Sequence, residues 1–284
     1  MDNNASLSKQ SLSLLIGNIL GLTAQMATSI ILVRLISKSD FGLYQQFLLI
    51  TSSFIPILRM GLDSSLFYFI PNLSQNKQNN IIFQTFVIKL FMGLSFMFLC
   101  INNYIDFNWI NLPLLNDYKV SVSLFVLFML LSSLVESIFT LDKNLVFNRY
   151  YPLVEKIVRF ALLVGFVIFL KFEYAIINAL VLFSFFRFLF IIFYFNQRLL
   201  YNIRFSYSLL SKQLIYSIPF AGSIILNMLS NRADKFIING YINVEEYAIY
   251  SIAFFSIPFI SQIFSSIHNV VMPEFSKFGN NNQF

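Results

Sequence analysis

Apolar stretches of about 20 residues follow one another along this chain, and very few folds can hold them. Residues 12–36, 41–59, 81–101, 120–141, 153–170, 174–195, 213–240 and 246–271 read as about eight spans. Each is long enough to cross the ~30 Å hydrocarbon core of a bilayer as a helix. The alternative is one soluble core, and composition argues against it. The chain has 284 residues, 57% of them hydrophobic and 11% charged, where a soluble domain carries about 25% charged residues. Its 36 Phe would have to be buried in that one core. The expected fold class is therefore all-α and integral to the membrane.

The rest of the composition mainly excludes functions. Net charge is +6, but the basic residues are scattered and sit mostly at span ends. That placement suits interfacial anchors and not a nucleic-acid face. Cys100 is the single cysteine and His268 the single histidine, so no cysteine metal site, disulfide or paired-histidine centre is expected. No G-x-S-x-G or phosphate-binding loop occurs. Neither an enzyme nor a cofactor is expected. The polar start MDNNASLSKQ does not read as a removable signal peptide.

With the N-terminus in the cytoplasm, Lys9, Arg59, Lys77, Lys143, Arg149, Arg198, Arg204, Lys212 and Lys277 fall on the inner side. Only Arg34, Lys38, Lys119 and Lys171 fall outside. The positive-inside bias thus places the N-terminus in the cytoplasm. The connectors are short. Residues 72–80, 102–119 and 197–212 are polar, and the last reads as a linker between halves.

A weak internal repeat supports two related halves. A shift of 206 positions carries Tyr44 to Tyr250, Asp40 to Glu246, Phe41 to Tyr247 and Gly42 to Ala248. In each copy a polar corner is followed by an acid, an aromatic, a small residue and a tyrosine. Within the first span, Asn18, Gly21, Gln25 and Thr28 share one helix face. The same shift carries the last three to Asn227, Asn231 and Asp234. Lipid cannot satisfy such groups, so both stripes are expected to face protein or one shared aqueous cavity.

Charges at membrane depth are costly and mark function. Lys89, Glu136, Lys156, Arg159, Arg187, Arg232, Asp234 and Lys235 all lie within spans. Glu155 and Arg159, and likewise Arg59 and Asp63, are spaced to pair along one helix. Cations outnumber acids here, so the cavity is expected to suit an anionic substrate. The candidate substrate-binding residues are Gln25, Lys89, Arg159, Arg187, Asn231, Arg232 and Asp234. Pro56, Pro219 and Pro258 are expected to kink their helices.

Two stretches carry a family resemblance. The opening LISKSDFGLYQ followed by GLDSSLFYFIP, and the later SIPFAGSIILNMLSNRADKFIINGYINVEEYAIYS, resemble polysaccharide flippases of the O-antigen type. These belong to the superfamily of multidrug, oligosaccharidyl-lipid and polysaccharide exporters. The matching positions are Asp40, Gly42 and Tyr44, and then Arg232, Asp234, Lys235, Tyr247 and Tyr250.

The resemblance implies two six-helix bundles around a central cavity with alternating access. Residues 1–200 would form the first bundle, and 201–284 the first two helices of the second. Members have twelve or more spans, so the chain is expected to be C-terminally truncated. The implied activity moves undecaprenyl-pyrophosphate-linked repeat units across the inner membrane for surface polysaccharide synthesis. The implied partners are the lipid-linked oligosaccharide, membrane lipid, a polysaccharide polymerase and a chain-length regulator. Two rival readings are a cationic-drug exporter of the same superfamily and a membrane-bound polysaccharide polymerase. The short external connector 102–119 speaks against the polymerase.

Overall fold

A computed structural model describes residues 7–110, 112–170, 175–198, 205–253 and 264–272. Those residues form helices and short connections, with no strand among them. In chain order the α-helices are α1 (Leu7–Leu35), α2 (Lys38–Arg59), α3 (Leu62–Phe69), α4 (Gln75–Ile101), α5 (Lys119–Leu141), α6 (Leu145–Leu170), α7 (Ala175–Arg198), α8 (Tyr207–Asn239) and α9 (Val244–Ala253). Residues 264–272 are also helical.

Among the described residues six segments are long and apolar enough to cross a membrane. They are Ser11–Leu35, Lys38–Arg59, Gln75–Ile101, Leu115–Leu141, Ala175–Phe195 and Tyr207–Asn239. The chain is a multi-pass membrane protein. Helix α6, at 26 residues, has the length, but Arg149, Glu155, Lys156 and Arg159 lower its hydropathy. The eighth expected span is described only at its ends, since residues 254–263, with Pro258, lie outside the described residues.

Helix edges differ from the sequence expectation in instructive ways. Polar residues 75–80, expected as connector, form the first turns of α4. Helix α6 starts at Leu145 rather than 153, so Lys156 and Arg159 sit in its middle and not in its first turns. Hydropathy marks where lipid begins, but a helix extends past the bilayer while its backbone bonds continue. The break after α2 becomes a left-handed pair, Met60 at φ 48° and Gly61 at φ 69°. The short helix α3 follows, with Asp63 in its first turn. Helices α2 and α8 continue through Pro56 and Pro219.

Helix α5 lies at the centre. Its Val122, Phe125 and Val126 pack with Phe47 and Ile50 of α2, Phe96 and Cys100 of α4, and Leu180 of α7. About three turns further on, Leu134, Val135 and Ile138 pack with Leu66 of α3, Ile81 and Ile82 of α4, and Ile191 of α7. Helix α1 leans on α6 across Gly17, where an added Cβ would lie 2.6 Å from the carbonyl oxygens of Asn148 and Arg149.

The repeated corners pack against each other. Helix α2 is capped by Ser37, whose Oγ accepts the Asp40 N–H at 3.0 Å. At the shifted position Asn243 accepts the Glu246 N–H at 2.9 Å, and Glu246 accepts the Asn243 N–H at 3.1 Å. Both are N-terminal caps of the Ser/Asn-x-x-acid kind; the second is reciprocal through the backbone, whereas in the first Asp40 accepts from the Ser37 hydroxyl at 2.6 Å. Phe41 and Tyr247 are both buried. Gly42 lies so close to Val244 that an added Cβ would collide with its carbonyl oxygen. Gly42→Ala is therefore expected to force α2 and α9 apart and cost about 1–3 kcal/mol. Thermal unfolding in detergent would measure it, with Gly165→Ala, where nothing lies within 4 Å, as the control.

Candidate functional site

A cavity of about 490 Å³ opens between α1, α3, α5, α6 and α7, with His268 and Asn269 of the 264–272 helix at its edge. Helix α1 supplies Asn18, Gly21 and Gln25 from its polar face. Asn18 donates to Ser266 at 3.0 Å, tying the 264–272 helix to that face. Helix α5 brings Ser133, Glu136 and Ser137, α6 brings Tyr151, Glu155 and Lys156, and α7 brings Arg187.

The charges here are organised in two groups. Arg187 donates to Glu136 at 2.7 Å and to Glu155 at 2.9 Å, so one guanidinium joins α7 to α5 and α6. Its plane also lies 5.7 Å from the centre of the Tyr151 ring, within cation–π range. Glu155 is reached as well by Lys156 at 3.4 Å. Arg187 and Glu155 are each only 8% exposed, but Glu136 is 45% exposed and faces the opening.

The second group is deeper. Lys89 of α4 is fully buried. It donates to Asp63 at 2.6 Å and to Ser133 at 2.8 Å. Asp63 also accepts from Ser137 at 3.3 Å and pairs with Arg59 at 3.7 Å. The Arg59–Asp63 pairing expected from spacing is present. The Glu155–Arg159 pairing is replaced: Glu155 turns to Arg187, and Arg159 donates to the Tyr44 hydroxyl at 3.4 Å. The guanidinium on a neighbouring helix can fork to two carboxylates, Glu155 and Glu136, which Arg159 one turn on does not reach.

The expected excess of cations is also corrected at this cavity. Its lining holds Arg59, Lys156 and Arg187 against Asp63, Glu136 and Glu155, so its charge is balanced. Isolated charges at this depth would be prohibitive, and the bundle neutralises them in pairs, across helices for Arg59, Asp63, Glu136 and Arg187 and along α6 for Lys156 with Glu155.

Of the candidate residues, Gln25 and Arg187 line the cavity, and Lys89 sits just behind its wall. Arg159 lies away from it. The three α8 candidates are placed elsewhere. Asn231 bonds to Asn227 one turn back, Arg232 donates to Ser52 of α2, and Asp234 accepts from Tyr250 at 3.1 Å. The two polar stripes therefore do not line one cavity among the described residues. Sequence reasoning left Asp63, Glu136, Glu155, Tyr151 and His268 outside the candidate set. Glu136 was visible as an intramembrane acid, but its cross-helix partner was not.

Comparison with known proteins places this arrangement. Residues 31–284 match the family described as "Polysaccharide biosynthesis protein". No curated protein matches the sequence. Among solved structures, an outward-facing multidrug resistance MATE family transporter of the MOP superfamily superposes with a TM-score of 0.71 at 14% identity, over 95% of this chain and 64% of that one. A MOP superfamily transporter from Pyrococcus furiosus, described as having a binding pocket of reverse polarity, superposes with a TM-score of 0.68 at 14% identity over the same shares. The chain thus spans about two thirds of the length of the structures it resembles, and shares their fold. With 254 of its 284 residues matched, this multi-pass helical chain belongs to the polysaccharide biosynthesis protein family.

Proposed function

We propose that the chain is a transporter which moves lipid-linked oligosaccharide repeat units across the inner membrane. It would act as a flippase in cell-surface polysaccharide synthesis, such as that of O-antigen or capsule, and not as an enzyme. The observation that carries this reading is the polar cavity between spanning helices, in a chain of the polysaccharide biosynthesis family. Its lining offers Asn18, Gln25, Asn148 and Asn269 beside Tyr151 and Phe147. Planar amides and aromatic faces are suited to a polyhydroxyl ligand. The proposed topology keeps the N-terminus in the cytoplasm. Residues 1–200 would form one bundle, and 201–284 would begin a second that closes the passage. Lys89, Arg159, Asn231, Arg232 and Asp234 would then act on the substrate only in a state where the two bundles have moved. The substrate, the inner-membrane location and any polymerase or chain-length regulator partner are part of the same proposal.

The test is leaflet transfer of a fluorescent lipid-linked sugar in vesicles carrying the purified chain. Transfer should exceed that of empty vesicles, and Gln25→Ala should lower it by about 5- to 10-fold, the loss of one or two hydrogen bonds. Transfer equal to empty vesicles would refute the reading. A second reading, export of cationic drugs, is favoured by the exposed Glu136 carboxylate at the cavity mouth. It requires that the chain protect a pump-deleted host from such drugs and that Glu136→Gln abolish the protection.

A further inference from the structure

The short helix α3 has two occupied faces. Asp63, Ser64 and Phe67 line the polar cavity. Ser65, Tyr68 and Phe69 lie on the opposite side of the helix, and they meet α8. Tyr68 stacks on Tyr216 with ring centres 4.5 Å apart, and Phe69 meets the same ring edge-on at 5.6 Å. Gly61, at the entry to α3, lies so close to α8 that an added Cβ would stand 2.6 Å from the Cβ of Phe220. Ser65 accepts from the Gln213 side chain of α8 at 2.9 Å. Helix α3 has a break at each end, the left-handed pair Met60–Gly61 and the 3₁₀ turn Ile70–Asn72. It is therefore able to shift as one piece without bending α2 or α4.

The two faces belong to one closed ring of contacts. Gln213 also donates to Thr85 of α4 at 2.7 Å, so one amide holds both α3 and α4 on α8. One turn beyond Thr85, on the same face of α4, stands Lys89, which donates to Asp63 at 2.6 Å. The ring runs from Asp63 through Lys89, Thr85, Gln213 and Ser65, and closes along α3. Lys89, Thr85, Gln213 and Ser65 are fully buried. Asp63, 20% exposed, is the member that faces the cavity. The Gln213 amide is only half satisfied, since its Oε1 has no hydrogen-bond partner among the described residues. A buried amide in that condition has little to lose by opening to water. If α3 and α4 separate, Nε2 no longer reaches both hydroxyls. A second polar group then goes unmet unless the start of α8 moves.

We propose that α3 couples the polar cavity to α8: whatever draws Asp63 away from Lys89 loosens the Gln213 knot and frees the first turns of α8. Release of α8 weakens the Asp63–Lys89 pair in return, because such coupling is reciprocal. The coupling lies in this chain's own side chains and holds for any occupant of the cavity. Its failure would leave the flippase reading standing.

The test is double electron–electron resonance on the purified chain in detergent, with spin labels at Phe98→Cys on α4 and Leu226→Cys on α8 in a Cys100→Ala background. Phe98 and Leu226 are exposed and stand outside the ring. With the ring intact, one main distance is expected. Lys89→Met should add a second distance, about tenfold more populated than with the ring intact, the equivalent of one hydrogen bond lost. Asp63→Asn with Lys89→Met, which removes both charges of the pair, should do the same. So should Gln213→Leu, in which the Ser65 and Thr85 hydroxyls keep the Leu62 and Ile81 carbonyls as acceptors at 2.6 and 2.7 Å. Gln213→Leu combined with Lys89→Met should show no more of the second distance than Gln213→Leu alone, because both changes cut one ring. An unchanged distribution in Lys89→Met and in the double charge variant would overturn the proposal. An unchanged distribution in Gln213→Leu would do so too, as would effects of Lys89→Met and Gln213→Leu that simply multiply.

Discussion

Asp63→Ala is expected to destabilise the chain by about 3–5 kcal/mol. It would leave the Lys89 ammonium fully buried with only the Ser133 hydroxyl as partner. An ion taken out of water costs several kcal/mol unless a counter-charge is in contact. At 2.6 Å, Asp63 is that counter-charge. Lys89→Met should cost less, because Asp63 would keep Arg59 at 3.7 Å and Ser137 at 3.3 Å. The double variant Asp63→Asn with Lys89→Met should recover most of the loss, since it removes both charges together. Thermal unfolding in detergent would order the four proteins. If Asp63→Ala melted with the wild type, the buried pair would hold little of the stability.

That pair shows how far the sequence could be read. Lys89 stood out because a lysine in an apolar span is rare. Asp63 stood out as the partner for Arg59, four residues away. Nothing in the chain announced that α3 would bring Asp63 beside α4, because 26 residues and the chain reversal after α3 separate them. Charge spacing reports partners on one helix and is blind to partners across helices. The same blindness hid Glu136 and Glu155 as the two ends of one Arg187 bridge, and it produced the expectation of a cationic lining.

Patterns that depend on local backbone chemistry were more legible. The apolar spans were readable because lipid demands about 20 apolar residues whatever the neighbours are. The corner repeat was readable because a cap needs a polar acceptor and an acid three residues on. Ser37 with Asp40, and Asn243 with Glu246, meet that need in the same register. The α8 stripe was read correctly as polar but given the wrong neighbour. Periodicity shows which residues share a face and not what that face meets. Asn231 and Asp234 find their partners on α8 itself and on α9.

Arg187→Ala should damage structure and transport together, and two further variants separate the effects. The change would leave Glu155, 8% exposed, with only Lys156 at 3.4 Å. It would also cut the polar side chain that bridges α7 to α5 and α6. A loss of about 3–5 kcal/mol is expected. Arg187→Lys keeps the charge but offers no planar fork to two carboxylates, so it should retain only part of the stability. Arg187→Gln with Glu155→Gln should melt near the wild type, because the two fully enclosed charges go together and those left without partners, Glu136 and Lys156, are 45% and 23% exposed. If the cluster only braces the helices, that double variant will transfer lipid-linked sugar at the wild-type rate. On the flippase reading it will instead fall by about 10- to 100-fold, the equivalent of one charged hydrogen bond lost to the ligand. A melting curve that is restored while transfer is not would locate sugar recognition at the Arg187 bridge, in the half of the molecule that Gln25 and Glu136 share with it.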